Sequence, residues 1–199
     1  MSYMNGSYWR ERSDLIYYKY IDYMVRVAGS HAKSIIDVGS GNSPYLEWFD
    51  WIDEKISVDI RAPYSSSRVK SITANILEYD FTKRYDICMC LQVLEHVDDP
   101  ISFARKLFDL SDTVIISVPY KWPKGQTTGH VHDPVDEYKL ELWTGRKPNY
   151  SIIVKEPFQG TSKDSRLIAI YNCDPKKNWR GTELKSRRLR GMNKTLPLK

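Results

Sequence analysis

Two glycines in the segment Asp37-Val38-Gly39-Ser40-Gly41-Asn42-Ser43 follow a short apolar run, and an acid, Asp59, stands about twenty residues beyond Gly39. Glycines at a strand-to-helix turn let the backbone bend tightly and approach a ligand with no Cβ in the way, and N–H groups there are free to meet it. A carboxylate at the end of the next strand is placed to accept both hydroxyls of a ribose. The pair reads as a nucleoside-binding loop or, at its plainest, as a tight turn. The dinucleotide pattern G-x-G-x-x-G fails, because its sixth position is Pro44. A second group of reactive side chains is Glu95-His96 together with Gly129-His130-Val131-His132-Asp133-Pro134. Histidine titrates near neutrality and is suited to deprotonating a hydroxyl. Glu95 and His96 can equally brace the helix that follows them, and His130 and His132 can make ordinary loop hydrogen bonds. The H-x-H and its following Asp have the ligand types of a metal site, but without a matching fourth ligand no metal is expected.

These residues need elements to position them. Tyr17, Ile21, Met24, Val25 and Ala28 fall on one face of a helix that Ser13 or Asp14 can cap and Gly29 can end. Ser34–Gly39 and Lys55–Ile60 are short apolar runs, one ending in the glycine loop and the other in an acid, and both read as buried parallel strands. Pro44–Trp51 between them is aromatic enough for one helix over the sheet. Val69–Ile72, Tyr85–Leu91 and Thr113–Val118 are further strands. Asp98-Asp99-Pro100 supplies an acid cap and a first-turn proline for a helix in which Ile101, Ala104 and Phe108, and Phe103, Leu107 and Leu110, share helical spacing. Ser151–Phe158 and Arg166–Tyr171, with Gly160 and Ser162 between them, make a closing hairpin. Strands alternating with helices and ending in a hairpin predict an α/β fold with one antiparallel edge.

Three separated segments carry a resemblance: Ile35-Ile36-Asp37-Val38-Gly39-Ser40-Gly41, Ser57-Val58-Asp59-Ile60, and Tyr85-Asp86-Ile87 through Val93-Leu94-Glu95-His96-Val97-Asp98-Asp99-Pro100. Together they resemble the class I S-adenosylmethionine-dependent methyltransferases, in particular the small methyltransferase-domain group. The likeness spans residues 34 to about 119 well and extends weakly to about 173. It implies a Rossmann-like, mostly parallel seven-stranded sheet with helices on both faces and an antiparallel C-terminal hairpin. It also implies S-adenosyl-L-methionine as cofactor and S-adenosyl-L-homocysteine as product. Gly39 and Gly41, with Ser40 between them, would pass under the methionine part, Asp37 would orient the loop and amino group, and Asp59, with Ile60 beside it, would hold the ribose. Asn75, with Ile76, occupies the place of an acid that faces the adenine amine, and an asparagine oxygen accepts the same hydrogen bond. Leu91 and Gln92 would contribute backbone near the methionine amino group. Ser43 replaces the third glycine of the family's loop. The resemblance puts Glu95 and His96 at the cofactor's border, and His130 and His132 over the acceptor, as candidate catalytic groups.

Composition is consistent with one domain: 199 residues, 41% of them hydrophobic, suffice for one core. Cys88, Cys90 and Cys173 are an odd number without a zinc spacing, so reduced, buried thiols are expected. No apolar run approaches the length of a membrane span, and the tyrosine-rich, charged first thirty residues lack a signal-peptide pattern, which makes the cytoplasm the expected address. Residues 176–199 hold nine basic side chains against one acid, Glu183, a local charge of +8 in a chain of net +5, which leaves the body mildly acidic. Nucleic acid is therefore not the expected partner. The tail, with Trp179, Leu189, Leu196 and Leu198, is a candidate for peripheral membrane or protein contact. The division expected is a helical segment over 1–30, a methyltransferase domain over 31–175 and a basic tail over 176–199. The expected reaction is O-methylation of a saccharide or small-molecule hydroxyl, with a loop histidine as base. Tyr120 and Trp122 either stack on the acceptor or pack on their own body. An RNA methyltransferase, or a non-catalytic protein of this fold recruiting a partner through its tail, are the alternatives.

Overall fold

The computed structural model describes residues 12–157 and 160–173, so the basic segment 176–199 lies outside the described residues, with Trp179, Leu189, Leu196 and Leu198. Seven strands form one sheet: β1 (Ser34–Val38), β2 (Glu54–Asp59), β3 (Lys70–Thr73), β4 (Ile87–Leu91), β5 (Thr113–Pro119), β6 (Tyr150–Lys155) and β7 (Ser165–Asn172). Their order is β3-β2-β1-β4-β5-β7-β6. The first five are parallel, and β7 pairs antiparallel with both β5 and β6. This is the expected α/β sheet with its closing hairpin.

The period-2 alternation of the strands builds two cores. Ile36, Val38, Ile56, Val58, Cys88, Cys90, Val114 and Ile116 face one side, while Ile35, Ile87, Met89, Leu91 and Ile115 face the other. On the first side lie α2 (Pro100–Leu110) and α3 (Glu137–Thr144); on the second lie α1 (Ile16–Ala28) and a 3-10 turn, Pro44–Trp48. Helix α1 buries Tyr17, Ile21, Met24, Val25 and Ala28, each such apolar side chain contributing roughly 1.5–3 kcal/mol when fully covered. Helix α2 is capped as its sequence predicts, the Asp99 carboxylate accepting from Ile101 N and Ser102 N at 3.1 and 3.0 Å.

Three local expectations are corrected, and one helix was not foreseen. Neither Ser13 nor Asp14 caps α1; its first residues, Ile16 and Tyr17, donate their N–H groups to the two carboxylate oxygens of Glu156 at 3.0 and 2.9 Å, from 140 and 139 residues away. A side chain from the hairpin does the work a local cap would do, and places a negative charge at the positive end of the helix. The segment 44–51 forms only the short 3-10 turn, which stops where Phe49 leaves helical geometry at φ −95° and ψ 64° with its N–H on Leu46 O. Helix α3 has no counterpart in the hydrophobic pattern, because it buries only Leu140, Trp143 and Thr144. Cys173 is half-buried rather than buried, its Sγ accepting from Arg146 Nη1 at 2.9 Å, whereas Cys88 and Cys90 are buried. No helix among the described residues is long and apolar enough to cross a membrane.

Candidate active site

The chain runs outward in both directions from β1 and β4, which makes their carboxyl ends the topological switch point where open α/β sheets bind ligands. The loop after β1 lies there. Gly39 takes φ +73°, and a Cβ on it would sit 2.4 Å from Cγ2 of Val93, so two physical demands, backbone sign and contact with the loop after β4, select glycine. Gly39 N and Ser40 N both donate to Val58 O, at 2.8 and 3.1 Å, and Ser40 Oγ bonds Ser57 Oγ at 2.7 Å. Gly41 N donates to Asp59 Oδ2 at 3.0 Å, while Asp59 Oδ1 accepts from Arg61 N and Ala62 N at 2.8 and 3.0 Å. The loop and the acid are thus one unit, with the Asp59 carboxylate fixed in direction and half exposed. Beside it Ile60 is 63% exposed, an apolar surface next to a polar anchor.

Asp37, next to last in β1, is fully buried, with Oδ2 accepting from Tyr45 Oη at 2.5 Å and Oδ1 without a hydrogen-bond partner among the described residues. Burial pushes its carboxyl up to about 7, against the Tyr45 hydrogen bond, which lowers it, and with the nearby Asp59 adding to the rise. Asn75 is placed by the bond from Ala74 N to Asp59 O at 3.1 Å, but its side chain is folded onto its own turn. Its Oδ1 accepts from Leu77 N at 3.1 Å and its Nδ2 donates to Glu78 at 2.8 Å. Ile76 is buried in the core below. Leu91 ends β4, and Gln92, at φ +59°, turns the chain out of the strand while its Nε2 donates to Ser117 Oγ at 3.2 Å. Ser117 Oγ also bonds Tyr17 Oη at 2.5 Å, tying α1 to β5.

The second constellation assembles from loops 33 residues apart. Val131 N donates to Glu95 O at 2.9 Å, which staples the loop after β5 to the 3-10 turn Leu94–His96. His96 Nδ1 bonds Gly129 O at 2.9 Å, and His130 Nδ1 bonds Asp133 Oδ2 at 2.7 Å. A carbonyl and a carboxylate accept, so the proton is assigned to Nδ1 in both rings and the Nε2 lone pairs are left available. The rings meet edge to face with centroids 4.6 Å apart, and Trp122 stacks on His130 at 5.6 Å. Trp122 is therefore part of the body here, its Nε1 held by Ser165 O at 2.8 Å, and Tyr120 donates to Glu137 at 3.3 Å. Glu95 is completely buried, and neither carboxylate oxygen accepts a hydrogen bond from another of the described residues. Burial pushes its carboxyl up to about 8, against the pull of its own main-chain N–H, with Asp133 raising it further and Arg166 opposing. Burial lowers the His96 pKa, against the Gly129 hydrogen bond, which favours the charged ring.

His132 is not brought into this group. Its Nε2 bonds Val97 O at 2.8 Å and its ring packs on Trp143 at 5.2 Å, beside α3. Sequence reasoning also missed Asp133 as the partner that orients His130, although the spacing of three was in plain view, and Arg166, a buried guanidinium 5.3 Å over the Trp122 ring and 5.4 Å over Tyr17. Nothing in an isolated strand residue signals that placement.

No protein-family model and no curated protein matches the chain. Among solved structures, the N-methyltransferase NodS from Bradyrhizobium japonicum WM9, in complex with S-adenosyl-L-homocysteine, superposes with a TM-score of 0.62 at 10% identity over 80% of this chain and 87% of that one. The 1,6-didemethyltoxoflavin-N1-methyltransferase of Burkholderia thailandensis, holding its namesake compound and S-adenosylhomocysteine, gives 0.59 at 17% identity over 84% of each chain. An S-adenosylmethionine-dependent methyltransferase from Clostridium acetobutylicum ATCC 824 gives 0.60 at 8% identity over 81% and 93%. This is the Rossmann-like methyltransferase fold. At such low identity the likeness speaks for the fold, and the chemistry has to be argued from the side chains.

Proposed function

We propose that the protein is an S-adenosylmethionine-dependent methyltransferase acting on a hydroxyl of a small molecule or saccharide. The observation that carries the reading is the Gly41–Asp59 unit at the carboxyl ends of β1 and β2 of a methyltransferase fold. The residues present fit the cofactor: a fixed, half-exposed carboxylate suits two ribose hydroxyls, exposed Ile60 suits a planar ring, and the partnerless Asp37 Oδ1 suits an ammonium group or the donors of an ordered loop. Gly39, Ser40 and Gly41 would line the methionine part, with Leu91 and Gln92 opposite. Asn75 keeps one acceptor lone pair on Oδ1 for the adenine amine, and Ile76 supports that turn from below.

When bound, S-adenosylmethionine supplies a methyl group on a positively charged sulfur, and its transfer leaves the bonding pair on sulfur. An oxygen acceptor must lose a proton as its lone pair forms the new bond, and His130 is built to receive it. Asp133 holds the Nδ1 proton and the ring angle, Trp122 fixes the ring plane, and Nε2 is left as the proton acceptor. Glu95 and His96 complete the wall. Much of the remaining rate would come from holding the acceptor oxygen in line. Isotopically labelled S-adenosylmethionine incubated with a panel of saccharides and small hydroxy compounds tests the reading. Label in a methyl ether, with kcat lowered about 10²–10⁴-fold by His130→Ala, is the expected result. Label found only on nitrogen, at a rate indifferent to His130→Ala, would contradict the assignment to oxygen.

A further inference from the structure

We infer that Glu95, His96 and His130 form a binding site for one divalent transition-metal ion. Each offers a ligand atom, and the three atoms lie within 4.8 Å of one another, with His96 Nε2 4.0 Å from Glu95 Oε1. Metal bonds of about 2.0–2.2 Å to nitrogen and oxygen would draw this spread together by small side-chain movements. Each of the three is prepared for the role in a different way. His96 and His130 both have Nδ1 committed, to the Gly129 carbonyl and the Asp133 carboxylate, which is the outer arrangement that orients metal-bound imidazoles and raises their basicity. Gly129 permits its share of this: at φ +85° it turns its carbonyl onto His96, and a Cβ there would lie 3.3 Å from Nδ1. Glu95 is a fully buried carboxyl whose two oxygens have no hydrogen-bond donor from another residue among those described, an arrangement that costs stability unless a donor or a cation completes it.

Two imidazoles and one carboxylate favour zinc, iron, cobalt or manganese over calcium and magnesium, which prefer all-oxygen sites. The His96 side chain is 42% exposed, so an ion has a way in from solvent. The set is not the H-x-H-Asp group that the sequence suggested. His132 points to Val97 and Trp143, and Asp133 supports His130 from behind rather than ligating beside it. The binding claim stands on this geometry alone. Its use, to hold the acceptor hydroxyl and favour its ionised form while the proton leaves to solvent, rests on the methyl-transfer reading, and His130 is then a ligand in the loaded protein and a base only in the metal-free one.

The test is titration of the full chain, stripped with a chelator, with Co²⁺ followed by its visible spectrum and with Zn²⁺ followed by calorimetry, each alongside S-adenosylhomocysteine binding. One ion per chain is expected at micromolar affinity or tighter. Glu95→Gln, His96→Ala and His130→Ala should each weaken it at least 100-fold, and His132→Ala should leave it within about threefold. Circular dichroism and cooperative urea unfolding show that the variants are folded, and Glu95→Gln keeps shape while removing the charge. Absence of saturable Co²⁺ or Zn²⁺ binding at millimolar concentration, or binding lost in His132→Ala and kept in His130→Ala, would overturn the inference. Loss of S-adenosylhomocysteine binding with intact Co²⁺ binding would instead count against the methyl-transfer reading and leave the metal site standing.

Discussion

Gly39 shows how a single residue can be over-determined. Its φ of +73° already disfavours a side chain, and its would-be Cβ falls 2.4 Å from Val93 Cγ2. Gly39→Ala should therefore destabilise the fold by about 1–3 kcal/mol in urea unfolding, and Val93→Ala in the same chain should recover the steric part, leaving only the backbone part. Additive losses in the double variant would mean that the two loops do not press on each other. The glycine was legible in the sequence; its reason was only half so. Gly39 reads as a ligand-approach position, yet the close neighbour is the chain's own Val93. Asn75 repeats the lesson, since an asparagine able to accept from adenine is also the residue that best closes its own turn.

Among the elements, α1 depends on a residue no local rule would nominate. Glu156 takes the Ile16 and Tyr17 N–H groups and is nearly covered, so Glu156→Ala should cost about 1–2 kcal/mol in chemical unfolding. A loss below about 0.3 kcal/mol would show that water caps the helix as well. The strands were readable because Ile35-Ile36 and Ile87-Cys88-Met89-Cys90-Leu91 are apolar on both faces, as strands covered on both sides must be. Helix α2 was readable from Asp99 and Pro100. Helix α3 escaped because Leu140 and Trp143 are its only buried apolar side chains, yet Asp136, which accepts from Lys139 N at 2.9 Å, and Gly145 at its end were signals that capping rules could have used. The site's halves were each visible as Glu95-His96 and His130. What joins them, the Val131-to-Glu95 main-chain bond, is a tertiary fact absent from either segment.

Across the whole molecule, the buried Asp37 carboxyl leaves a titration signature. Asp37 is pushed up to about 7 by burial, above its ordinary 3.8, so the ligand-free folded chain holds that proton more tightly than the unfolded chain does. The stability this contributes is complete below about pH 4 and is lost as pH rises through about 7, an effect of at most about 4 kcal/mol. Urea midpoints of the ligand-free protein should fall between pH 5 and pH 8, with Glu95, pushed up to about 8 by burial, contributing alongside Asp37. Asp37→Asn should therefore shrink that fall by roughly half; an equal fall in the variant would place its origin in Glu95 or elsewhere. The proposed function requires S-adenosylmethionine to bind at the carboxyl ends of β1 and β4. Calorimetric titration with S-adenosylhomocysteine, on the wild type and on Asp59→Ala, tests it most directly. The account predicts one micromolar site per chain, weakened at least 100-fold by a substitution that leaves the circular dichroism spectrum unchanged. No saturable heat at millimolar ligand, or equal affinity in Asp59→Ala, would contradict it.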